Sequence, residues 1–285
     1  MNKTLRKSLF FILKICVTLL VISPFYIAII YSVKSKPEMV TNRLAFPKTI
    51  HWDNFTRAIE TSNFGLAMKN SLITTVVAVF VITLICTMAA YIIARKNNRF
   101  YNTIYYIFVG AMIIPFQSIM TPLYIDMAKW KLLNTLHGFI MAKIGFQIAF
   151  TVLLVSGFVK SIPKDLEEAA AIDGSSNMRT FFKIALPLSK PILAVMVIFT
   201  MVAYWNDWFT ALIYMSEKSK YPLQLALRQV LIQSQATATM IGNMDGGYAE
   251  ANKITELIKF ASIVVGSVPM LIAYPFVQKY FEKGF

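Results

Sequence analysis

The chain has 285 residues, 57% of them hydrophobic and only 15% charged, with a mean hydropathy of +0.59. A soluble domain carries about 25% charged residues, and the apolar residues here gather in long runs, so an ordinary soluble fold is excluded and lipid is the solvent. The formal charge of +14 comes from 28 Lys and Arg scattered over every loop without a basic block, which fits attraction to anionic headgroups better than binding to nucleic acid. Cys16 and Cys86 sit inside apolar runs, and His51 and His137 are isolated, so neither a disulfide framework nor metal-ligand spacing is present in the sequence.

In chain order, a short basic tail (1–8) precedes an apolar run at 9–33, about 37 Å long as a helix. No small-x-small site follows it, so an uncleaved span is expected, with Lys14 snorkelling to the interface. A polar loop (34–69) leads to a second span at 71–94 and a tight basic connection from Arg95 to Arg99. The third span (103–125) contains Pro115 and Pro122, which should kink it. The fourth (137–159) carries Lys143 and Gln147. A polar stretch (160–190) separates it from the fifth span (192–215), a long loop (216–255) and a sixth span (257–277). The expected architecture is all-α, with six spans in a single transmembrane domain, 1–285. Lys and Arg divide almost evenly between the two sets of loops, but one set is shorter and denser in base. The positive-inside rule therefore puts both termini and the 160–190 loop in the cytoplasm, and loops 34–69 and 216–255 outside.

The chain is organised around that cytoplasmic stretch. Ser161 is a candidate N-cap and Pro163 suits a first helical turn. Asp165, Glu167 and Glu168 put negative charge at the positive end of the helix dipole. Gly174 supplies a left-handed helix end, Ser175 caps a second helix, and Leu186 and Pro187 stop it. Two helices about a glycine turn could be a DNA-reading motif or a solvated connector. Between two spans, they also suit a handle by which a soluble engine moves the membrane segments. Ala169, Ala170 and Ala171 permit close approach, and Glu167, Glu168 and Asp173 offer charge-assisted contacts.

Glu168, Ala169, Ala170 and Gly174, followed by Ile184, Leu186 and Pro187, resemble the EAA loop of binding-protein-dependent ABC importers. Further stretches along the chain, at 112–115, 122–124, 133–138, 161–166, 205–208 and 221–225, resemble the carbohydrate branch, the maltose-type permease subunits. The resemblance implies a six-span permease fold with a coupling helix between spans four and five. It implies a second homologous permease (a heterodimer is favoured), two cytoplasmic ATPase subunits and an extracytoplasmic solute-binding protein that delivers a sugar or oligosaccharide. The chain has no phosphate-binding loop of the Gly-x-x-x-x-Gly-Lys-Ser/Thr type, so ATP and Mg belong to the partner subunits. No catalytic residue, metal site or cofactor is expected in this chain. Maltose-type subunits often extend past the sixth span with a tail between the ATPases, whereas only 278–285 follow that span here, so little is expected of that contact.

The ATPase-coupling residues expected from this resemblance are Glu167, Glu168, Ala169, Ala170, Asp173, Gly174, Ile184, Leu186 and Pro187. Gln117, Tyr124 and Gln147 are candidates for the sugar path, against a simpler role as polar contacts between packed helices. Trp205 and Trp208 could stack on sugar rings or form the aromatic belt at the membrane edge. Asn206 and Asp207 join them; a carboxylate inside a span costs about 2.5–3.5 kcal/mol on insertion scales, unless Asp207 sits at the interface. Lys143 and Lys259 are expected to snorkel or to pair across a dimer. The loop of Gly242, Asn243, Asp245, Gly246, Gly247 and Tyr248 resembles in position the one that meets the binding protein. The alternatives are the same machine importing an amino acid or peptide, and a membrane-anchored DNA-binding regulator. The second is disfavoured because Arg179 and Lys183 alone are too few for a phosphate-tracking helix.

Overall fold

A computed structural model describes residues 3–42, 44–96, 98–242 and 248–281. These are helical throughout, with no strand among the described residues. Among the described residues, three helices are long and apolar enough to cross a membrane: the stretch Lys7–Ser32 of α1 (Lys3–Ser32), α4 (Phe64–Arg95) and α7 (Leu136–Ser161). Two further spans appear if each sharply bent pair is taken as one. α5 (Arg99–Ile113) and α6 (Phe116–Lys129) meet at 102°, and the segment Asn177–Leu188 meets α11 (Lys190–Trp205) at 74°. The expected sixth span lies in α14 (Tyr248–Phe281), where a shorter apolar stretch runs Leu257–Ile272.

The described residues form two compact units. In the first, residues 1–65 and 226–271, the loop after α1 is structured: it holds α2 (Lys36–Thr41) and α3 (Asp53–Thr61). Buried Asn54 donates to the carbonyls of Ser32 and Lys34 at 3.0 Å each, which closes the end of α1. Glu38 accepts from the Lys48 amide at 2.9 Å, and this hydrogen bond holds its carboxyl below the usual carboxylate range. α4, the helix that carries the expected second span, begins at Phe64, before the apolar run at 71, because the stretch ahead of that run contains strong helix formers (Leu66, Ala67, Met68).

The second unit, residues 66–225 and 272–285, has a clear core. On α4, Thr74, Ala78, Ile82, Cys86 and Ala90 recur at every fourth residue and are all but fully buried. Small side chains along such a seam let helices approach closely, which is how helices associate without a hydrophobic drive in lipid. Val152, Val155 and Val159 of α7 and Met196 of α11 fill the opposite side. At the other end of α4, Asn70 Nδ2 donates to the carbonyls of Ser219 (2.9 Å) and Tyr221 (3.2 Å), and Ser71 Oγ accepts from the Leu223 amide at 2.7 Å. These bonds anchor the start of α13 (Leu223–Gly242), so the amphipathic stretch expected inside a long loop opens a 20-residue helix.

The bend at Pro115 exceeds a kink. Pro115 cannot donate to the turn before it, and Phe116 packs edge-on against Phe146 (4.6 Å) and Phe209 (6.0 Å), which holds α6 aside. Pro122 is carried inside α6.

α7 starts on a side-chain cap: Thr135 Oγ1 accepts from the Gly138 amide at 3.1 Å. A Cβ added at Gly138 would fall inside contact distance of the Leu132 carbonyl oxygen and 2.9 Å from Thr135 Oγ1. Because the obstacle is backbone, Gly138→Ala is expected at the upper end of the about 1–3 kcal/mol typical of overpacking. Gly145, on the same helix with nothing within 4 Å, should accept alanine silently. Thermal unfolding of the detergent-purified variants tests the contrast, and equal melting of the two would refute it.

Candidate functional site

The polar stretch between α7 and α11 folds as two limbs about Gly174. α8 (Asp165–Ile172) begins with Asp165, Glu167 and Glu168 in its first turn and ends at Gly174, whose φ of +78° is the left-handed conformation that glycine adopts without strain. The caps differ from expectation by short shifts. Ser161 closes α7 rather than opening α8, its hydroxyl bonding back to the Phe158 carbonyl at 2.7 Å. Ser176, not Ser175, caps α9 (Asn177–Thr180) by accepting from the Arg179 amide at 3.4 Å. Ser175 instead accepts from the Thr180 hydroxyl at 3.1 Å. A single π-helical turn (Phe181–Ala185) follows, then α10 (Leu186–Leu188), which runs one residue past Pro187.

The loop has an inner and an outer side. Inside, Arg95 Nε donates to Glu167 Oε1 at 2.8 Å, with Nη2 2.7 Å from the same oxygen. The Tyr91 hydroxyl donates to Glu167 Oε2 at 2.8 Å, and Arg95 Nη2 also reaches the Ile162 carbonyl at 3.1 Å. The Tyr91 ring lies 5.2 Å from the ring of buried Phe181. Outside, Glu168, Ala169, Asp173 and Gly174 are exposed, and so are the apolar side chains of Leu166, Ile172 (87%), Met178 and Phe182. Ala170, Ile184 and Leu186 are half-buried, while Pro187 is exposed.

The other candidates are spread over the second unit. Trp205 closes α11, buried, and lines a cavity of about 340 Å³ between α4 and α11 together with Leu72, Thr75, Val76, Phe80 and Met201. The indole N–H of Trp205 and the hydroxyl of Thr75 are buried without a hydrogen-bond partner among the described residues. Asn206 bonds back to the Val202 carbonyl, and Asp207 Oδ1 accepts from the Thr210 amide at 3.0 Å, closing the open start of α12 (Phe209–Tyr214). Trp208 packs on the cluster of Phe139, Ala211, Met215 and Leu225. Gln117 is exposed, and Tyr124 stacks on Tyr214 with 6.4 Å between centroids. Gln147 is half-buried. The proposed binding-protein loop lies largely outside the described residues, which stop at Gly242 and resume at Tyr248.

Lys143 neither snorkels nor awaits a partner. It is buried, its Nζ donates to the Tyr204 carbonyl at 2.8 Å, and it sits 4.4 Å above the Phe139 ring. The Tyr204 hydroxyl returns a bond to the Lys143 carbonyl at 2.8 Å. The reason is the break at residues 206–208: it orphans carbonyls in the last turn of α11, and a cation there satisfies one and suits the negative helix end. Arg95 and Tyr91 also escaped sequence reading. Their spacing of four along α4 was the available signal, but Glu167, far off in sequence, gave no sign that it would be their partner.

A membrane protein built of helices, with two sharply bent helix pairs and a capped polar stretch that leads from α7 into one of them, is the class that this geometry defines. Comparison with known proteins makes it specific. Residues 82–285 match the family described as "Binding-protein-dependent transport system inner membrane component", and the chain belongs to that family. It is 34% identical over 264 residues to the protein LplC of Bacillus subtilis (92% of this chain, 87% of that one). It is 39% identical over 203 residues to a probable starch degradation products transport system permease, AmyC, of Thermoanaerobacterium thermosulfurigenes (71% and 74%). It is also 31% identical to the melibiose/raffinose/stachyose import permease MelC of B. subtilis over 262 residues (92% and 88%). Among solved structures, a chain of a bacterial ABC transporter that imports the acidic polysaccharide alginate superposes with a TM-score of 0.82 at 23% identity, covering 99% of both, which shows the shared fold.

Arg95 and Glu167 are only 10% and 14% exposed in their side chains. Breaking a buried pair by removing one member costs about 3–5 kcal/mol, because the other is left uncompensated. Glu167→Ala should therefore lower the melting temperature of the purified protein markedly, and adding Arg95→Met in the same chain should recover much of it. If the double variant melts below the single one, the pair is not what fixes this loop.

Proposed function

We propose that this chain is the membrane-spanning permease subunit of an ATP-driven importer of sugars or oligosaccharides, with α8 as the helix that docks in a cleft of a separate ATPase. The observation that carries the reading is the outer side of the 161–190 loop. Leu166, Ile172, Met178 and Phe182 stand exposed on the two limbs that also carry exposed Glu168 and three small residues, and exposed apolar side chains interspersed with charge mark a partner surface. The relatives named for starch products and for melibiose, raffinose and stachyose support a sugar over an amino acid or peptide.

In this reading the termini and the lever face the cytoplasm, and two permease subunits, homologous rather than identical, share two ATPases. A binding protein loads the outer loops, including 242–248. Glu168, Ala169, Ala170 and Asp173 meet the ATPase, Gly174 sets the elbow, and Ile184, Leu186 and Pro187 hold the return limb. ATP-driven closure of the ATPases moves the lever, and the spans alternate between inward- and outward-facing states. This chain binds no ATP in that cycle; ATP and Mg are held by the partners.

For the sugar path we assign Trp205 first, because it lines the cavity and its buried indole N–H has no hydrogen-bond partner among the described residues. We assign Gln117, Tyr124 and Gln147 to the path as separate candidates, whereas Asp207 and Trp208 serve mainly to shape the break after Trp205.

Two measurements test this. Glu168→Ala and Gly174→Asp should each abolish co-purification of the ATPase or the coupling of hydrolysis to uptake, while insertion in the membrane is unchanged; wild-type transport by Gly174→Asp overturns the assignment. Trp205→Phe keeps the aromatic plane and loses the donor. Uptake of labelled starch fragments or raffinose should then need a higher sugar concentration for half-maximal rate, and an unchanged profile removes Trp205 from the path.

A further inference from the structure

Tyr91 and Arg95 are four residues apart at the end of α4, so they share one face of its last turn. From that face they grip both limbs of the lever. Arg95 and Tyr91 occupy the two oxygens of Glu167 on α8, Arg95 also holds the Ile162 carbonyl at the joint with α7, and the Tyr91 ring packs on Phe181 of the return limb. The chain itself links the lever only to α7 and α11; α4 is joined to it by these side chains and by nothing covalent. Glu167 and Glu168 are adjacent on α8, hence about 100° apart around its axis, and the structure gives them opposite settings. Glu167 is turned inward with both oxygens engaged, and Glu168 is exposed.

We infer that Arg95 and Tyr91 are positioning residues that make the end of α4 and α8 one rigid body, so that a push on α8 is felt directly by the second span. Glu167 is an internal member of this strut, and Glu168 alone of the pair faces the ATPase. The inference rests on the reading of α8 as the docking helix and refines it.

The test uses the full transporter with its ATPase subunits, in a background of Cys16→Ser and Cys86→Ala. Spin labels are placed at Lys96→Cys, past the end of α4, and Lys164→Cys, the exposed N-cap of α8 outside the docking face. The interspin distance is read without nucleotide and after trapping with Mg-ATP and vanadate. The expected result is one distance peak that does not shift between the two states, and a broadened or doubled distribution once Tyr91→Phe or Glu167→Gln is added. Tyr91→Phe keeps the ring on Phe181, so its folding is safe if Glu167→Gln proves unstable. A peak that shifts on trapping in the parent protein overturns the strut, as does a distribution in Tyr91→Phe and Glu167→Gln that matches the parent. A second arm measures ATPase co-purification: Glu167→Gln should retain it where Glu168→Ala loses it. Equal loss would make Glu167 a docking contact and refute the inference while leaving the docking role of α8 intact. Failure of the parent protein to hold any ATPase would instead refute that role itself.

Discussion

The arginine–glutamate pair between the end of α4 and the third residue of α8 is the constraint around which the lever is arranged. A buried ion pair is a poor source of net stability, since desolvation offsets most of its attraction, but it is strongly directional and penalises any misaligned state. Here it fixes the rotation of α8. With Glu167 held inward, helical geometry turns Glu168 and Ala169 outward and leaves no freedom for the opposite arrangement. The exposed apolar side chains around Ile172 follow from that orientation, because each is carried on a limb whose inner face is already occupied.

A second constraint comes from lipid. A helix that stops inside a membrane leaves backbone groups that no water can satisfy, so every interruption needs an internal partner. The break at residues 206–208 is closed on both sides: Lys143 takes the Tyr204 carbonyl, and Asp207 takes the Thr210 amide. The turn before α7 is closed similarly by Asn134, in a left-handed conformation at φ +57°, whose side-chain oxygen accepts from the amides of Ser216 and Glu217. Glu217 returns the favour by accepting from Asn134, and its bonds to Lys220 and Asn134 hold its carboxyl below the usual range. Polar residues in these spans are thus spent largely on backbone. Among the described residues, the indole of Trp205 and the hydroxyls of Thr75, Thr151 and Thr200 are exceptions, buried without a partner.

Local chemistry was legible in the sequence wherever it was self-contained. Gly174 announced a left-handed turn, Pro115 a bend, and the acidic first turn of α8 a helix start, because each effect needs only neighbours along the chain. The caps slipped by short distances because several serines in a row can each do the job, and packing at Phe181 and Thr180 chose among them. The size of the bend at Pro115 depended on Phe146 and Phe209, which a single segment cannot reveal. Lys143 was misread for the same reason: its carbonyl partner lies 61 positions away and exists only because α11 is broken. Hydropathy found the apolar runs yet misjudged their edges, since the helix of span two extends back through polar residues to Phe64.

The π-helical turn at Phe181–Ala185 holds one residue more than an α-helical turn would. Deleting one of positions 182–185 should restore regular winding and turn Phe181 by roughly 100° relative to the helix that follows, carrying its ring off Tyr91. The angular setting of the return limb is therefore also stored in the length of the chain, where a single-codon deletion can erase it with every side chain that grips α8 still in place.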